Sequence, residues 1–403
     1  MELLSLFSLI VKYNLPFTNK ESCILELQNW FMNSGSVWQK FAQVLSQYEE
    51  VVGKDLAFAL SKMCFDCPAH DDKYSARIIK DAFGDKYNTK NMKMVGSGTI
   101  SQVYKVMEND TNRVVAIKVM HPNVKREIRD ACEAYNNIKS SSLFPRRFTT
   151  ILSIFFNGLK EQLLMNREFK NGKLFKKTMQ PTNNENYFFV IPEMIEYSKK
   201  CLVMEYEKSI LLAKINVANL NESKKQTLYK ACNAMRMFSM AMTINGFLHG
   251  DLHFGNIGIQ NFDSIENMKI VIYDFGQCFD ISNLNKRKQF VNSFLYKNSR
   301  ELISYMLPVN YHNEIISKLS NNFEDDIRFL GNYILLNEIQ VDKNILNIII
   351  SWGKSKKNAE TLLLLTDKYN CEDTMVYLLD NGIQKYIDKY YLLYDDFNCL
   401  LTM

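Results

Sequence analysis

Hydrophobic spacing changes character several times along the 403-residue chain. Over residues 21–84, Trp30, Phe31, Val37, Phe41, Val44, Leu45 and Tyr48 recur at helical spacing, which predicts helices. From 91 to 120 the period drops to two. NMKMVGSGTISQVYKVMENDTNRVVAIKVM alternates, crosses a Gly-rich turn, alternates again, turns at Asn-Asp-Thr-Asn and ends in a β-branched run. That order predicts strand, loop, strand, turn, strand. Helical spacing returns over 125–178, with Leu152, Phe155, Phe156, Leu159 and Leu163 on one side. NYFFVIPEM and KCLVMEYE, within 186–207, predict two strands. A helix over 222–246 leads into FLHGDLHFGNIGI (247–259), and KIVIYDFGQ (269–277) predicts a buried strand and a turn. From about 284 the pattern is helical to the end. The sum is an α+β chain: helices, a small β-rich lobe, then a mostly helical lobe. The expected segments are 1–90, an N-terminal helical extension; 91–207, the β-rich lobe with a helical insertion; 208–310, the second lobe; and 311–403, a helical region with no legible motif.

With 47% hydrophobic residues and 23% charged, the chain can bury a sizeable core. A net charge of +5 is small for this length, so no nucleic-acid partner is expected. Nine cysteines show no framework, and Cys64-Phe-Asp-Cys67 lacks the second pair a zinc site needs. They read as reduced thiols of an intracellular protein. The apolar N-terminus, MELLSLFSLIVKYNLPF, is too short to span a bilayer and has no basic region before it. It predicts a packed helix, with a peripheral membrane contact as the alternative. NILNIIISWGKSKKNAETLLLL is interrupted by Lys and Gly, so it does not predict a membrane span either. The expected location is cytoplasmic or peripheral to a membrane.

The chemistry lies in four stretches whose order is that of a kinase. Phosphoryl transfer needs phosphates cradled, charge neutralised by metal and lysine, and the acceptor oriented. Gly96 and Gly98, with Ser101 following, occupy the loop between the first two strands, where backbone N–H groups can approach phosphate oxygens closely. Alone this loop would be a plain hairpin turn. Lys118 follows in an apolar strand, where burial without a partner is costly and a phosphate contact gives it a purpose. Its carboxylate is either Glu133, fifteen residues on, or Glu168, fifty on; spacing alone favours Glu133. Asp251 is placed to orient the acceptor proton. Asn256, five residues later, and Asp274, in Tyr273-Asp-Phe-Gly276, are oxygen donors suited to Mg²⁺. His249 and His253 lack a third ligand for zinc; His249 is expected to brace the loop, and His253 to touch phosphate or pack. The strand 201–206 leads to a hinge where backbone groups around Glu205 and Tyr206 meet an adenine. The cofactors expected are ATP or ADP with Mg²⁺, bound in a cleft between two lobes. Two other readings fit: a small-molecule kinase, and a pseudokinase scaffold that binds nucleotide plus a protein or lipid.

Over roughly residues 35–310 these stretches resemble the ABC1/UbiB/ADCK atypical kinases, of the protein-kinase-like fold. Lys40-Phe-Ala-Gln43 is similar to that family's KxGQ motif. Gly96-Ser-Gly-Thr-Ile-Ser-Gln102-Val-Tyr is similar to its nucleotide loop, and Val114-Val-Ala-Ile-Lys118-Val-Met-His-Pro122 to its lysine strand. His249-Gly-Asp251-Leu-His253-Phe-Gly255-Asn256 is similar to HxDxHPGN. The resemblance implies an atypical kinase or ATPase, and it selects Glu168, in Glu168-Phe-Lys-Asn171, as the partner of Lys118. It also implies a protein, lipid or small-molecule acceptor, and a link to quinone or lipid metabolism near membranes. Three departures matter. Gly96 and Gly98 stand where the family carries alanines, so ATP binding is expected to be competent. Gln162 and Leu164 replace an E-x-D pair, which removes the expected partners of Lys40. Phe254 and Ala42 replace a Pro and a Gly, as packing changes.

Overall fold

The computed structural model describes residues 2–46, 52–61, 69–138, 162–179, 189–216, 220–283, 287–320 and 322–337, with isolated positions between 152 and 160 and between 339 and 351. Tyr48, Cys64 and Cys67 fall outside the described residues. Among those described, the strands are, in chain order, β1 (Lys93–Ser97), β2 (Ser101–Met107), β3 (Val114–Met120), β4 (Phe189–Val190), β5 (Met194–Tyr197), β6 (Cys201–Glu205), β7 (Ile210–Leu211), β8 (Phe247–His249), β9 (Ile257–Gln260), β10 (Lys269–Ile272) and β11 (Cys278–Asp280). The chain divides into two compact units: 1–173 with 192–207 and 275–277, and the remainder.

The first unit holds a five-stranded antiparallel sheet in the order β1-β2-β3-β6-β5. Alternation along β3 sorts its side chains. Val115, Ile117 and Val119 join Tyr104, Val106, Cys201 and Val203 in a core closed by Ile78 and Ile79 of the helix Asp72–Phe83. Lys118 lies on the opposite face, by the period of two. The helical spacing of 21–84 resolves into helices Lys20–Asn33, Ser36–Leu45, Lys54–Ser61 and Asp72–Phe83. Gly35, at φ +88°, breaks the first two apart. Trp30, Phe31, Trp38 and Phe41 then pack with Phe155 and Phe156 as an aromatic cluster. NYFFVIPEM does not form one strand. It splits at Pro192, which has no N–H for a ladder: β4 pairs with β10, and β5 with β6.

The second unit holds the sheet β4-β10-β9-β7 and the pair β8–β11. Its long helix, Glu222–Asn245, is capped by Asn221, whose side chain accepts from Lys224 N at 2.9 Å. It stops at Gly246, left-handed at φ +84°, so the chain turns at once into β8. Helices Arg287–Leu295, Ser299–Met306 and Phe323–Leu336 follow. Among the described residues no helix is long and apolar enough to cross a membrane. The mixture of a β-rich part and helices is the α+β class read from the pattern.

Candidate functional site

In the first unit the glycine loop is a tight reversal between β1 and β2, closed by Gly98 N donating to Ser101 O at 2.9 Å. Ser101 is buried and pairs with Met120, so it anchors the turn from inside the sheet. A Cβ added to Gly96 would meet nothing within 4 Å, and one on Gly98 would make an ordinary 3.6 Å contact with Ser101 O. Packing within the protein therefore does not demand glycine at either position. Between them Ser97 Oγ is buried with no hydrogen-bond partner, an orphaned hydroxyl that fits a polar ligand at this loop.

Lys118 and Glu168 meet directly. Lys118 Nζ donates to Glu168 Oε1 at 2.8 Å and Oε2 at 2.9 Å, with side-chain exposures of 10% and 1%. Glu168 is reached because the helix Met165–Met179 starts just before it. Glu133, on the helix Val124–Ile138, is exposed. One turn after Glu168, Asn171 Nδ2 donates to the carbonyl of Phe275, the residue after Asp274, at 2.9 Å. Gln162, where the resemblance expects an acid, donates to Gln277 Oε1 at 3.3 Å, and Leu164 is exposed. Lys40 and Gln43 are half-buried on the helix Ser36–Leu45. Glu205 ends β6 opposite Val115; its N–H goes to Glu193 O at 2.9 Å and its carboxylate faces Arg113 at 3.4 Å. The Tyr206 ring lies under Lys105 Nζ at 4.9 Å.

A polar chain supports the glycine loop, and sequence reasoning did not find it. Ser75 Oγ bonds His70 Nε2 at 2.5 Å, the two histidines meet Nδ1 to Nδ1 at 2.6 Å, and His121 Nε2 bonds the Gly98 carbonyl at 2.7 Å. Because a carbonyl only accepts, His121 carries its proton on Nε2. His70 must then donate from Nδ1, and Ser75 donates to His70. Both rings are neutral in this arrangement. Burial, and next the neighbouring His121, push His70 down to about 4; burial also lowers His121. Gln102 accepts from His70 N at 3.0 Å and donates to Tyr104 OH at 2.5 Å, and Tyr104 donates to Asp72 at 2.8 Å. The glutamine of the Ser-Gln-Val stretch is thus a buried brace to the helix Asp72–Phe83. The His-Pro step at 121–122 was the available signal for His121.

In the second unit, FLHGDLHFGNIGI becomes β8, a loop and β9. His249, fully buried, accepts from Asp251 N on Nδ1 at 3.1 Å, so its Nε2–H donates to Tyr273 O at 3.0 Å. It braces the loop against the turn after β10. Ser351 Oγ donates to His249 O at 2.9 Å. Asp251 is buried, and Asn256 Nδ2 donates to its carbonyl at 2.8 Å, which leaves the Asn256 Oδ1 side for a cation. Tyr273 N donates to Asn256 O at 2.9 Å, which ties Asn256 to the residue before Asp274. Asp274 sits at φ +59°, a left-handed conformation that Asp tolerates better than most residues. His253 accepts from Gly255 N at 3.0 Å, and its Nε2 lies 4.0 Å from Asp251 Oδ2. Gly258 has no room for a side chain: a Cβ would clash with Ser209 Oγ and come to 3.1 Å from the Tyr273 ring. Ser209 Oγ in turn bonds Tyr273 OH at 2.8 Å. Asn and Asp oxygens suit Mg²⁺, and no group of three or more His, Cys, Asp or Glu that could hold a metal occurs among the described residues.

A family model described as the ABC1 atypical kinase-like domain matches residues 66–305. Among curated proteins the chain is 27% identical over 248 residues to a probable serine/threonine-protein kinase abkC of Dictyostelium discoideum, covering 58% of this chain and 35% of that one. It is 25% identical over 279 residues to a probable protein kinase UbiB of Glaesserella parasuis serovar 5, covering 65% and 49%. The match thus spans a third to a half of the length of those relatives. Among solved structures, the Mycobacterium tuberculosis protein Rv3197, in complex with erythromycin, aligns at a TM-score of 0.54 over 90% of this chain and 99% of that one. At 15% identity that likeness is one of fold.

Proposed function

The chain belongs to the ABC1 atypical kinase-like family, and we propose that it binds ATP with Mg²⁺ and acts as a phosphotransferase or ATPase. The observation that carries this reading is the buried pair of Lys118, on β3, and Glu168, on the helix Met165–Met179. Burying an ammonium and a carboxylate together rarely gains stability over an apolar pair, so the pair points to a use. In this reading Glu168 fixes Lys118 against the α- and β-phosphates, while Gly96, Gly98 and Ser101 shape the loop over them. The orphaned Ser97 hydroxyl gains a phosphate partner. Backbone groups near Glu205 and Tyr206 receive the adenine. Asn256 and Asp274 hold Mg²⁺, which supplies charge neutralisation for the transferring phosphoryl group. Asp251 orients the acceptor, a hydroxyl or water, and takes its proton. The relatives' names as probable protein kinases support a phosphoryl acceptor on a protein; a lipid or small molecule fits the same machinery.

Calorimetric titration with ATP and with ADP, each with and without Mg²⁺, tests the reading. Mg²⁺-dependent ATP binding is the expected result. Binding of neither nucleotide would overturn it, and tight binding without turnover would leave a nucleotide-binding scaffold instead.

A further inference from the structure

A concave site lies in the first unit, at the end of β3. A cavity of about 320 Å³ is lined by Lys125, Arg126, Arg129 and Lys200 together with Tyr74 and His121. Its volume is at the small end of ligand sites. The four cations come from two separate elements, the helix Val124–Ile138 and the turn between β5 and β6. Among the described residues no carboxylate lines the cavity. Two acids are near: Glu127 accepts from Ser36 Oγ at 2.6 Å and acts electrostatically on His121, and Asp130 meets Arg129 at 3.5 Å with both side chains well exposed. Asn123, which also lines the cavity, is left-handed at φ +64°, and its carbonyl accepts from Arg126 N and Glu127 N. The 15-residue helix therefore begins at the cavity and adds its positive end to the four side chains. All four side chains are exposed, so water and salt screen their mutual repulsion, yet they converge on one concavity where an anion can meet them together.

We propose that this cavity binds a phosphate-bearing ligand, in addition to any nucleotide at the glycine loop. Arginine forks and a helix start suit the tetrahedral oxygens of a phosphate. A nucleic-acid face would need cations spread along a stripe; here they close on one hollow. The same chemistry is presented by a free diphosphate and by an anionic lipid headgroup.

Two probes separate these sources. Inorganic pyrophosphate is titrated calorimetrically with ADP present in excess, and the protein is sedimented with vesicles of phosphatidylglycerol or of phosphatidylcholine alone. Both are repeated with Arg126→Gln/Arg129→Gln and with Lys200→Gln. These side chains are exposed, so the melting temperature should stay at the parent value. The proposal expects pyrophosphate binding, or phosphatidylglycerol-selective sedimentation, weakened about tenfold or more for each charge removed. Loss of the first identifies a soluble phosphate compound as the ligand class, loss of the second a lipid headgroup. Binding of neither probe by the parent protein overturns the proposal, as does binding that the variants leave intact. Because the variants lie outside the glycine loop, their effect is read whether or not ADP binds.

Discussion

Replacing Glu168 with leucine takes from Lys118 the carboxylate it meets at 2.8 and 2.9 Å. With side-chain exposures of 10% and 1%, water cannot readily take its place. Breaking one side of a buried pair costs about 3–5 kcal/mol. A second route sets the same ceiling: an ammonium that sheds its proton, from the reference value of about 10.4 down to pH 7, costs about 4–5 kcal/mol. The two agree, so Glu168→Leu should lose roughly 3–5 kcal/mol, a fall of about 6–20 °C in melting temperature for a body of this size. Adding Lys118→Met converts the pair into an apolar contact and should return stability to within about 1–2 kcal/mol of the parent. The double variant should thus be more stable than the single one, while neither binds nucleotide. Urea unfolding of the three proteins gives the comparison. A single variant as stable as the parent, or a double variant no better than the single, would refute the assignment of a strongly coupled buried pair.

Gly258→Ala should destabilise by about 1–3 kcal/mol through overpacking on Ser209; adding Ser209→Gly should restore most of it in a melting assay, and no rescue would contradict the steric account. Gly96→Ala should leave melting unchanged, since its Cβ enters open space, yet lower ATP affinity relative to ADP; a calorimetric ratio equal to the parent's would remove any role for that glycine. Asp251→Asn should reduce turnover by about 10²–10³-fold with the fold intact; a full-rate enzyme would dismiss Asp251 as the acceptor's partner. His70 gives an acid dependence. Its folded value of about 4 lies below its ordinary 6.5, so the unfolded chain takes the proton first. The stability it contributes is present above pH 6.5 and is lost as pH falls toward 4, by about 1–2 kcal/mol after allowance for solvent screening. His70→Gln should flatten that part of the stability curve, and an unchanged slope would exclude His70 as its source.

What the sequence disclosed depended on how local each signal was. The alternation over 91–120 is a property of neighbouring residues, and β1, β2 and β3 form there. NYFFVIPEM looked continuous because periodicity does not register which strand a segment pairs with; Pro192 sends its two halves to different partners. The carboxylate for Lys118 was ambiguous for the same reason. Spacing alone favoured Glu133; the family resemblance selected Glu168, which meets Lys118 across fifty residues. The paired histidines stayed hidden because His70 and His121 lie fifty-one residues apart, and each is unremarkable alone. Gln102 stood out as part of a motif without an assigned task; its bonds to His70 N and Tyr104 OH make it a brace inside the fold.

The bond from Ser351 to the His249 carbonyl has a consequence for where this protein can be cut. The family match ends at residue 305, yet a fully buried hydroxyl 102 residues beyond His249 in sequence returns to satisfy that carbonyl. A version shortened to the family boundary would leave a buried acceptor two residues before Asp251 without that donor, at a cost of about 1–3 kcal/mol. During synthesis the loop holding Asp251 therefore lacks this one donor until chain well past the shared domain has emerged. Residues beyond the family boundary thereby add a late increment of stability to a loop whose other hydrogen bonds form from chain already made.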